Sequence, residues 1–250
     1  MIILKTSEEI ELIGQASRIV AECQKVLLGI VKPGISTLEL DKVAEECIRD
    51  LGGVPAFKGY RNYPNSLCAS VNEQVVHGIP GKRTLKEGDI VGLDIGAIVG
   101  GFYGDGAITI AIGKVDPQKE LLISVTKEAL QKGVEKAIVG NRLSDISHAI
   151  QSHIEFHGFS VVRDFVGHGI GRQLHEEPQV PNYGKPGQGP RLKAGMALAI
   201  EPMVNMGRPD VKVMDDGWTA VTADGSWSAH FEHTITVESN GPARILTACA

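Results

Sequence analysis

Apolar residues recur at helical spacing in four stretches of the chain, and at strand spacing in much of the rest. The first helical stripe runs through Ile10, Ile13, Ala16, Ile19, Val20, Cys23 and Leu27; Thr6 and Glu9 stand ahead of it as a capping box, and Gly29 predicts its end. Lys32-Pro33-Gly34 breaks the chain, and Ser36 with Glu39 opens a second helix through Leu40, Val43, Ala44, Cys47 and Ile48, stopped by Gly52-Gly53. Asp116 and Pro117 open a third, whose stripe through Leu121, Val125, Ala129 and Ile138 reaches Gly140. A fourth continues through Ile146, Ala149, Ile150 and Ile154 to Gly158. Gly34, Leu40, Val43 and Ile48 fall at the same offsets as Gly140, Ile146, Ala149 and Ile154, and each helix pair leads to a His-Gly-Ile segment and then to strand-like runs. The pattern predicts one domain, residues 1–250, duplicated internally as two αα-plus-β halves of roughly 1–112 and 113–250.

The strand-like runs carry acids where apolar residues belong. Asp94 in IVGLDIGAIV, Glu201 in GMALAIEPMV and Glu232 in AHFEHTITV sit mid-run, and Asp105 in GFYGDGAITI follows Asp94 by eleven residues. Alternation groups Gly92 and Gly96 with Asp94, Ala197, Ala199 and Met203 with Glu201, and His230, Thr234 and Thr236 with Glu232. The opposite faces are bulky, so each acid sits at the centre of a small or polar face, as in a lined pocket. Ionised carboxylates buried there need cations or dense hydrogen bonding. A hairpin turn at Val99-Gly100 would set Asp94 directly opposite Asp105, and one at Gly100-Gly101 would set them diagonally. Like charges so placed repel unless one holds a proton or a cation lies between them.

Bulk properties narrow the class. With 250 residues, 42% hydrophobic, the chain can bury one large core. Its 25 basic and 30 acidic residues give a net charge of −5 without a basic run, which argues against a nucleic-acid partner. No apolar stretch approaches a membrane span, no leader pattern opens the chain, and Cys23, Cys47, Cys68 and Cys249 follow no paired spacing. A cytoplasmic protein with reduced thiols and no membrane partner is expected.

His168, between Gly167 and Gly169, turns the acids toward metal. Asp94, Asp105, His168, Glu201 and Glu232 offer four carboxylates and one imidazole, a donor set suited to two divalent first-row cations rather than to copper(I) or a thiolate zinc cage. Glu232-His233 lies in no HExxH, and GHGIGR lacks the dinucleotide spacing. His77 in VVHGIP and His175 in GRQLHEEP are candidates for proton handling or substrate contact. His230 and His233 flank Glu232 as candidate hydrogen-bond partners behind the ligands, while His148, His153 and His157 sit on the amphipathic helix at 144–157 as structural or solvated residues. FKGYRNYPNSLC crowds Phe57, Tyr60, Tyr63 and Cys68 together, good contacts for a thioether side chain.

Taken together, NEQVVHGIP, LDIG followed by GFYGD, GHGIGRQLHEEPQVPNYG, AIEPMV and HFEHTI resemble the type I methionine aminopeptidases of the pita-bread fold, over essentially the whole chain. The resemblance implies an α+β fold whose two pseudo-symmetric halves surround a central antiparallel sheet, with helices on its outer face. It implies that Asp94 chelates one metal, that His168 and Glu201 hold the other, and that Asp105 and Glu232 bridge them. Cobalt, manganese, iron and zinc all suit this set. His77 and His175 match the family's substrate-contacting histidines, and its methionine pocket falls on Phe57, Tyr60, Tyr63, Cys68, Leu174 and Trp218. Gly106 stands where many relatives carry Ser or Thr.

The activity so implied is hydrolytic removal of the initiator methionine from nascent polypeptides and Met-peptides. The ions activate a water, His175 polarises the carbonyl, Glu201 carries the proton to the leaving amine, and His77 supports the substrate nitrogen. A monomer is expected, with the ribosome as the macromolecular partner such a substrate suggests. One alternative is a proline-directed aminopeptidase or prolidase of the same fold, for which an extra N-terminal domain is expected where this chain opens on the catalytic domain's helix. The other is a non-enzymatic pita-bread binding protein, which is expected to lack ligands that all stand here.

Overall fold

Each helical stripe forms a helix, and side-chain caps set the starts. The computed structural model describes residues 1–248, so Cys249 lies outside the described residues. Helix α1 (Ser7–Ile30) begins where Glu9 N–H donates to Thr6 Oγ1 at 3.3 Å and Thr6 N–H donates to the Glu9 carboxylate at 3.0 Å. Ser36 and Glu39 repeat that box at the start of α2 (Thr37–Asp50). Helix α3 (Pro117–Lys136) has Asp116 as its cap and Pro117 in its first turn. It stops well before the expected Gly140, because the chain leaves the helix to bond a later loop, with Gly140 N–H on the Leu192 carbonyl at 3.2 Å. In α4 (Leu143–Phe156) the Asp145 carboxylate accepts from Arg142 N–H at 2.7 Å.

All strand pairings are antiparallel among the described residues. The first part of the chain supplies β1 (Val54–Pro55), β2 (Leu67–Val71), β3 (Gln74–Val76), β4 (Ile90–Val99) and β5 (Phe102–Ala111). Strand β4 carries β5 along one edge, with β2 and then β1 along the other. The rest supplies β6 (Ser160–Val161), β7 (Gly167–Gly169), β8 (Glu176–Val180), β9 (Ala197–Ile200), β10 (Met203–Asn205), β11 (Val211–Val213), β12 (Ala220–Thr222), β13 (Ser228–His230), β14 (His233–Thr236) and β15 (Arg244–Ile245). These pair as β15-β14-β9-β7-β8, as β13-β10-β6, and as β11-β12-β3. The last of these sheets takes β3 from the first half, so the halves interlock.

Helices cover the outer faces. Leu27, Leu40 and Ile48 of α1 and α2 pack in one core with Leu93 and Ile95, and Val125, Ile146 and Ile150 of α3 and α4 pack in another with Leu198 and Ile235. Full burial of each such side chain contributes roughly 1.5–3 kcal/mol. The loops between paired helices dock alike. Gly34 N–H bonds the Leu85 carbonyl and Thr37 N–H that of Arg83, while Gly140 N–H bonds the Leu192 carbonyl and Leu143 N–H that of Pro190. Leu85-Lys86 and Leu192-Lys193 then open the strands that lead to Asp94 and Glu201, each nine residues beyond its leucine.

Two of the acids are not mid-strand, contrary to the alternation pattern. Glu201 and Glu232 lie at matching interruptions, between β9 and β10 and between β13 and β14. The register is continuous across the gap, with Ile200 opposite His233 on one side and Met203 opposite His230 on the other. The two glutamates therefore stand directly across from each other where the ladder opens. Pro202 has no N–H to offer, and Glu232 N–H leaves the ladder to donate to the Ala107 carbonyl of β5 at 2.9 Å. Threonine hydroxyls complete this seam between halves. Thr109 Oγ1 accepts from His230 N–H and donates to its carbonyl, and Thr234 Oγ1 does the same for Asp105.

Candidate active site

A cavity of about 320 Å³ opens between the halves, and its wall contains every residue singled out from the sequence for metal, catalysis or substrate. Phe57, Tyr60, Tyr63, Cys68, His77, Asp94 and Asp105 come from one half, and His168, Leu174, His175, Glu201, Trp218 and Glu232 from the other. The hairpin turns at Gly100-Gly101, both at positive φ (56° and 81°). Asp105 thus faces Gly96 while Asp94 faces Ala107, which makes the two aspartates diagonal neighbours. Gly96 also leaves room for the pocket, since a Cβ there would lie 2.6 Å from a ring carbon of Phe57. Close approach likewise explains the glycines around His168: a Cβ on Gly167 or Gly169 would meet a carbonyl oxygen at 2.4 or 2.3 Å.

The acids and His168 converge. Donor atoms of Asp105, His168 and Glu232 lie within 4.8 Å of one another, and so do those of Glu201, His230 and Glu232. His168 Nδ1 lies 3.0 Å from the Gly169 carbonyl, which can only accept, so Nδ1 carries the proton and the Nε2 lone pair faces Glu201 Oε1 at 3.5 Å. Burial, with the neighbouring acids, raises Asp94, Glu201 and Glu232 well above the usual carboxylate range, and burial raises Asp105 to about 7. Burial lowers His168 to about 3, with help from His175. Asp94 Oδ1 and Glu232 Oε1 are buried without a hydrogen-bond partner. Crowded, desolvated oxygens and a bare imidazole nitrogen aimed at one volume fit divalent cations, which would reverse the cost of ionising those acids.

The substrate side is aromatic. Tyr60 Oη lies 2.8 Å from His175 Nδ1, with the rings stacked at 5.5 Å between centroids. Tyr63 meets Trp218 edge-on at 5.0 Å, and His77 stands edge-on to both Trp218 and Phe165. His77 holds a left-handed backbone (φ 59°), an unusual state for a residue with a side chain and one often found at functional sites. Burial lowers His77 to about 4 and also lowers His175, with Arg61 adding to the latter, so both imidazoles are neutral at pH 7. Burial pushes the Cys68 thiol up, keeping it neutral too.

Arg61, Asp164, Phe165 and Val166 also line the cavity and were not picked from the sequence. Their signal was position: Arg61 lies inside the aromatic loop, and Asp164-Phe165-Val166 runs straight into Gly167-His168. The two histidines beside Glu232 part company. His230 Nε2 is 3.5 Å from Glu201 Oε2, whereas His233 turns away to Thr247 Oγ1 at 2.8 Å. His153 pairs with Glu128 at 3.0 Å on the α3–α4 surface, outside the cavity. A side chain on Gly106 would meet Val20, Gln24 and Thr247 rather than the acids.

Donor set, pocket and fold together define a metal-dependent hydrolase. The profile of metallopeptidase family M24 matches residues 11–239. The methionine aminopeptidase of Clostridium perfringens is 56% identical over 99% of both chains. The crystal structure of a methionine aminopeptidase from Thermotoga maritima superposes with a TM-score of 0.98 at 49% identity, covering 100% of each chain. A prolidase from Pyrococcus horikoshii shares the fold at a TM-score of 0.81 and 23% identity, over 99% of this chain and 64% of its own. The chain belongs to metallopeptidase family M24, on its methionine aminopeptidase branch.

Proposed function

We propose that this metal-dependent aminopeptidase removes the N-terminal methionine from newly made polypeptides, and that residues 1–250 act as one catalytic domain whose halves arose by duplication. The observation that carries this reading is the convergence of Asp94, Asp105, His168, Glu201 and Glu232 beside a pocket walled by aromatics and a neutral thiol. Asp94 would hold one cation, His168 and Glu201 a second, and Asp105 and Glu232 both. Bound there, cobalt, manganese, iron or zinc would supply a Lewis acid for the scissile carbonyl and lower the pKa of water.

The chain's own groups supply the rest. With the Tyr60 hydroxyl donating to Nδ1, His175 keeps its proton on Nε2 and offers it to the scissile carbonyl oxygen. Glu201 takes the proton of the attacking water and returns it to the leaving amine, and His77 supports the substrate nitrogen. Phe57, Tyr60, Tyr63, Cys68, Leu174 and Trp218 hold the methionine side chain. The acids draw the free α-amine to one end of the cavity, so a single residue is trimmed.

No described helix is long and apolar enough to cross a membrane. The reading places the enzyme in the cytoplasm as a monomer that meets chains emerging from the ribosome; sedimentation of the purified protein with and without ribosomes tests its oligomeric state and the ribosome contact. The deciding assay measures hydrolysis of Met-Ala-Ser and Ala-Pro peptides across a manganese, iron, cobalt and zinc series. Release of methionine from the first, without cleavage of the second, is expected. Preferential cleavage of Ala-Pro would replace this reading with a prolidase.

A further inference from the structure

Two imidazoles address the same carboxylate. His168 Nε2 lies 3.5 Å from Glu201 Oε1, and His230 Nε2 lies 3.5 Å from Glu201 Oε2. Their other nitrogens separate the two roles. The Gly169 carbonyl holds the His168 proton on Nδ1, so its Nε2 can only present a lone pair toward Glu201. Two lone-pair donors facing each other are relieved by a cation between them, as befits a ligand. His230 has no such carbonyl. Its side chain makes no hydrogen bond among the described residues, and its Nε2 is buried without a partner. A neutral imidazole in that position is most stable with the proton on Nε2, where Glu201 Oε2 can accept it after an approach of a few tenths of an ångström.

The backbone fixes this aim. His230 N–H donates to Thr109 Oγ1 at 2.9 Å, and the same hydroxyl donates to the His230 carbonyl at 2.8 Å. Met203 pairs with His230 from β10, and the residue is only 3% exposed, so the ring cannot swing out to water. Asn182 Nδ2 holds the Glu201 backbone carbonyl at 3.0 Å but leaves its carboxylate free. Of the two carboxylate oxygens, one faces a lone pair and the other faces a nitrogen able to donate.

We propose that His230 is a positioning residue whose Nε2–H donates to Glu201 Oε2, orienting the oxygen that exchanges protons with the substrate while Oε1 and His168 serve the cation. The idea deepens the reading of Glu201 given above and rests on it. In the test, His230→Leu removes the donor, His230→Gln retains one, and Glu201→Gln serves as the control. His230→Leu should keep its metal content by elemental analysis and its KM, and lose about 10–100-fold in kcat. His230→Gln should recover most of that loss. Unchanged kcat in His230→Leu would make the ring a space filler, and metal lost in step with kcat would make it a ligand; either result overturns the proposal. Should leucine prevent folding, ¹⁵N NMR of the native protein loaded with zinc reads the tautomer directly: a proton on Nε2 of His230 is expected, and a proton on Nδ1 overturns the assignment. A fully active Glu201→Gln would instead defeat the role of Glu201, whatever His230 does.

Discussion

The two halves build their acids on one plan and finish them differently. In the first, Asp94 and Asp105 belong to an unbroken hairpin, short side chains set diagonally on a continuous ladder. In the second, the corresponding strand pair opens at Pro202, and Glu201 and Glu232 face each other across the gap with His168 and His230 beside them. The continuous ladder carries short, purely carboxylate donors. The interrupted one carries longer side chains set directly opposite each other, and the group assigned to proton exchange falls on that side. The difference teaches that two similar scaffolds can be finished for different work: on the roles proposed above, Glu201 of the interrupted pair would move protons, while Asp94 and Asp105 of the continuous hairpin would only hold ions.

The strongest challenge to this division comes from the acids assigned to both ions. Asp105→Asn from the continuous half and Glu232→Gln from the interrupted half should each abolish activity and lower metal occupancy, as measured by elemental analysis. Full activity with two ions bound in either variant would remove that acid from the centre.

One histidine from each half gives the next test. His77→Ala and His175→Ala should retain metal and lose roughly 10²–10⁴-fold in rate. A parallel fall in metal content would show that they are ligands instead.

Metal removal should loosen both halves together, since linkage contributes about 2.7 kcal/mol per site when metal stands at about 100 times its dissociation constant. The chelated protein should melt several degrees lower and recover with manganese or cobalt. Its pH dependence has a definite sign. The four acids have folded-state pKa values raised above those of the unfolded chain, so the folded state holds extra protons and gains stability as pH falls through about 7, the value for Asp105. That gain should end below about 6.5, where unfolded histidines begin to take up protons. Burial lowers the pKa of His77, His168, His230 and His233, so the folded state cannot follow. Urea melts of chelated protein from pH 6 to 9 measure this, and stability that climbs steadily toward pH 9 would contradict it.

The seam and the pocket offer smaller effects. Thr234→Val strips Asp105 of partners for both its N–H and its carbonyl, and should cost about 1–3 kcal/mol in a denaturant melt. A neutral result would mean that the halves are not joined there. Trp218→Ala should weaken turnover of Met-peptides, while norleucine remains accepted, because shape differences in an apolar pocket are worth only about 1–3 kcal/mol. Equal turnover of N-terminal lysine peptides would contradict the pocket.

Local chemistry was legible in the sequence, and geometry set at a distance was not. Capping boxes at Thr6 and Ser36 announced helices because both partners lie within one turn. The sequence leaves the hairpin turn open between Val99-Gly100 and Gly100-Gly101; the fold takes the second, because both central residues hold a positive φ that glycines accept and a β-branched Val99 resists. Alternation named Glu201 and Glu232 but placed them mid-strand, since the opening at Pro202 depends on where β5 crosses, a matter of tertiary contact. Alternation did separate His230 from His233, since only the former shares a face with Glu232, but their partners Glu201 and Thr247 come from other parts of the chain and were hidden. Arg61 and Phe165 became pocket residues only through folding of the segments around them.

The bond from Glu232 N–H to the Ala107 carbonyl has a bearing on how the molecule comes into being. It ties together segments made far apart in time, and closing so long an intervening loop carries an entropic penalty that no local element repays early. Until that closure, the aspartates of the first hairpin have nothing opposite them, and an unfinished chain has no assembled centre. Ion uptake should therefore come late and mark completion of the fold, leaving a partly synthesised copy inert toward the other chains emerging around it.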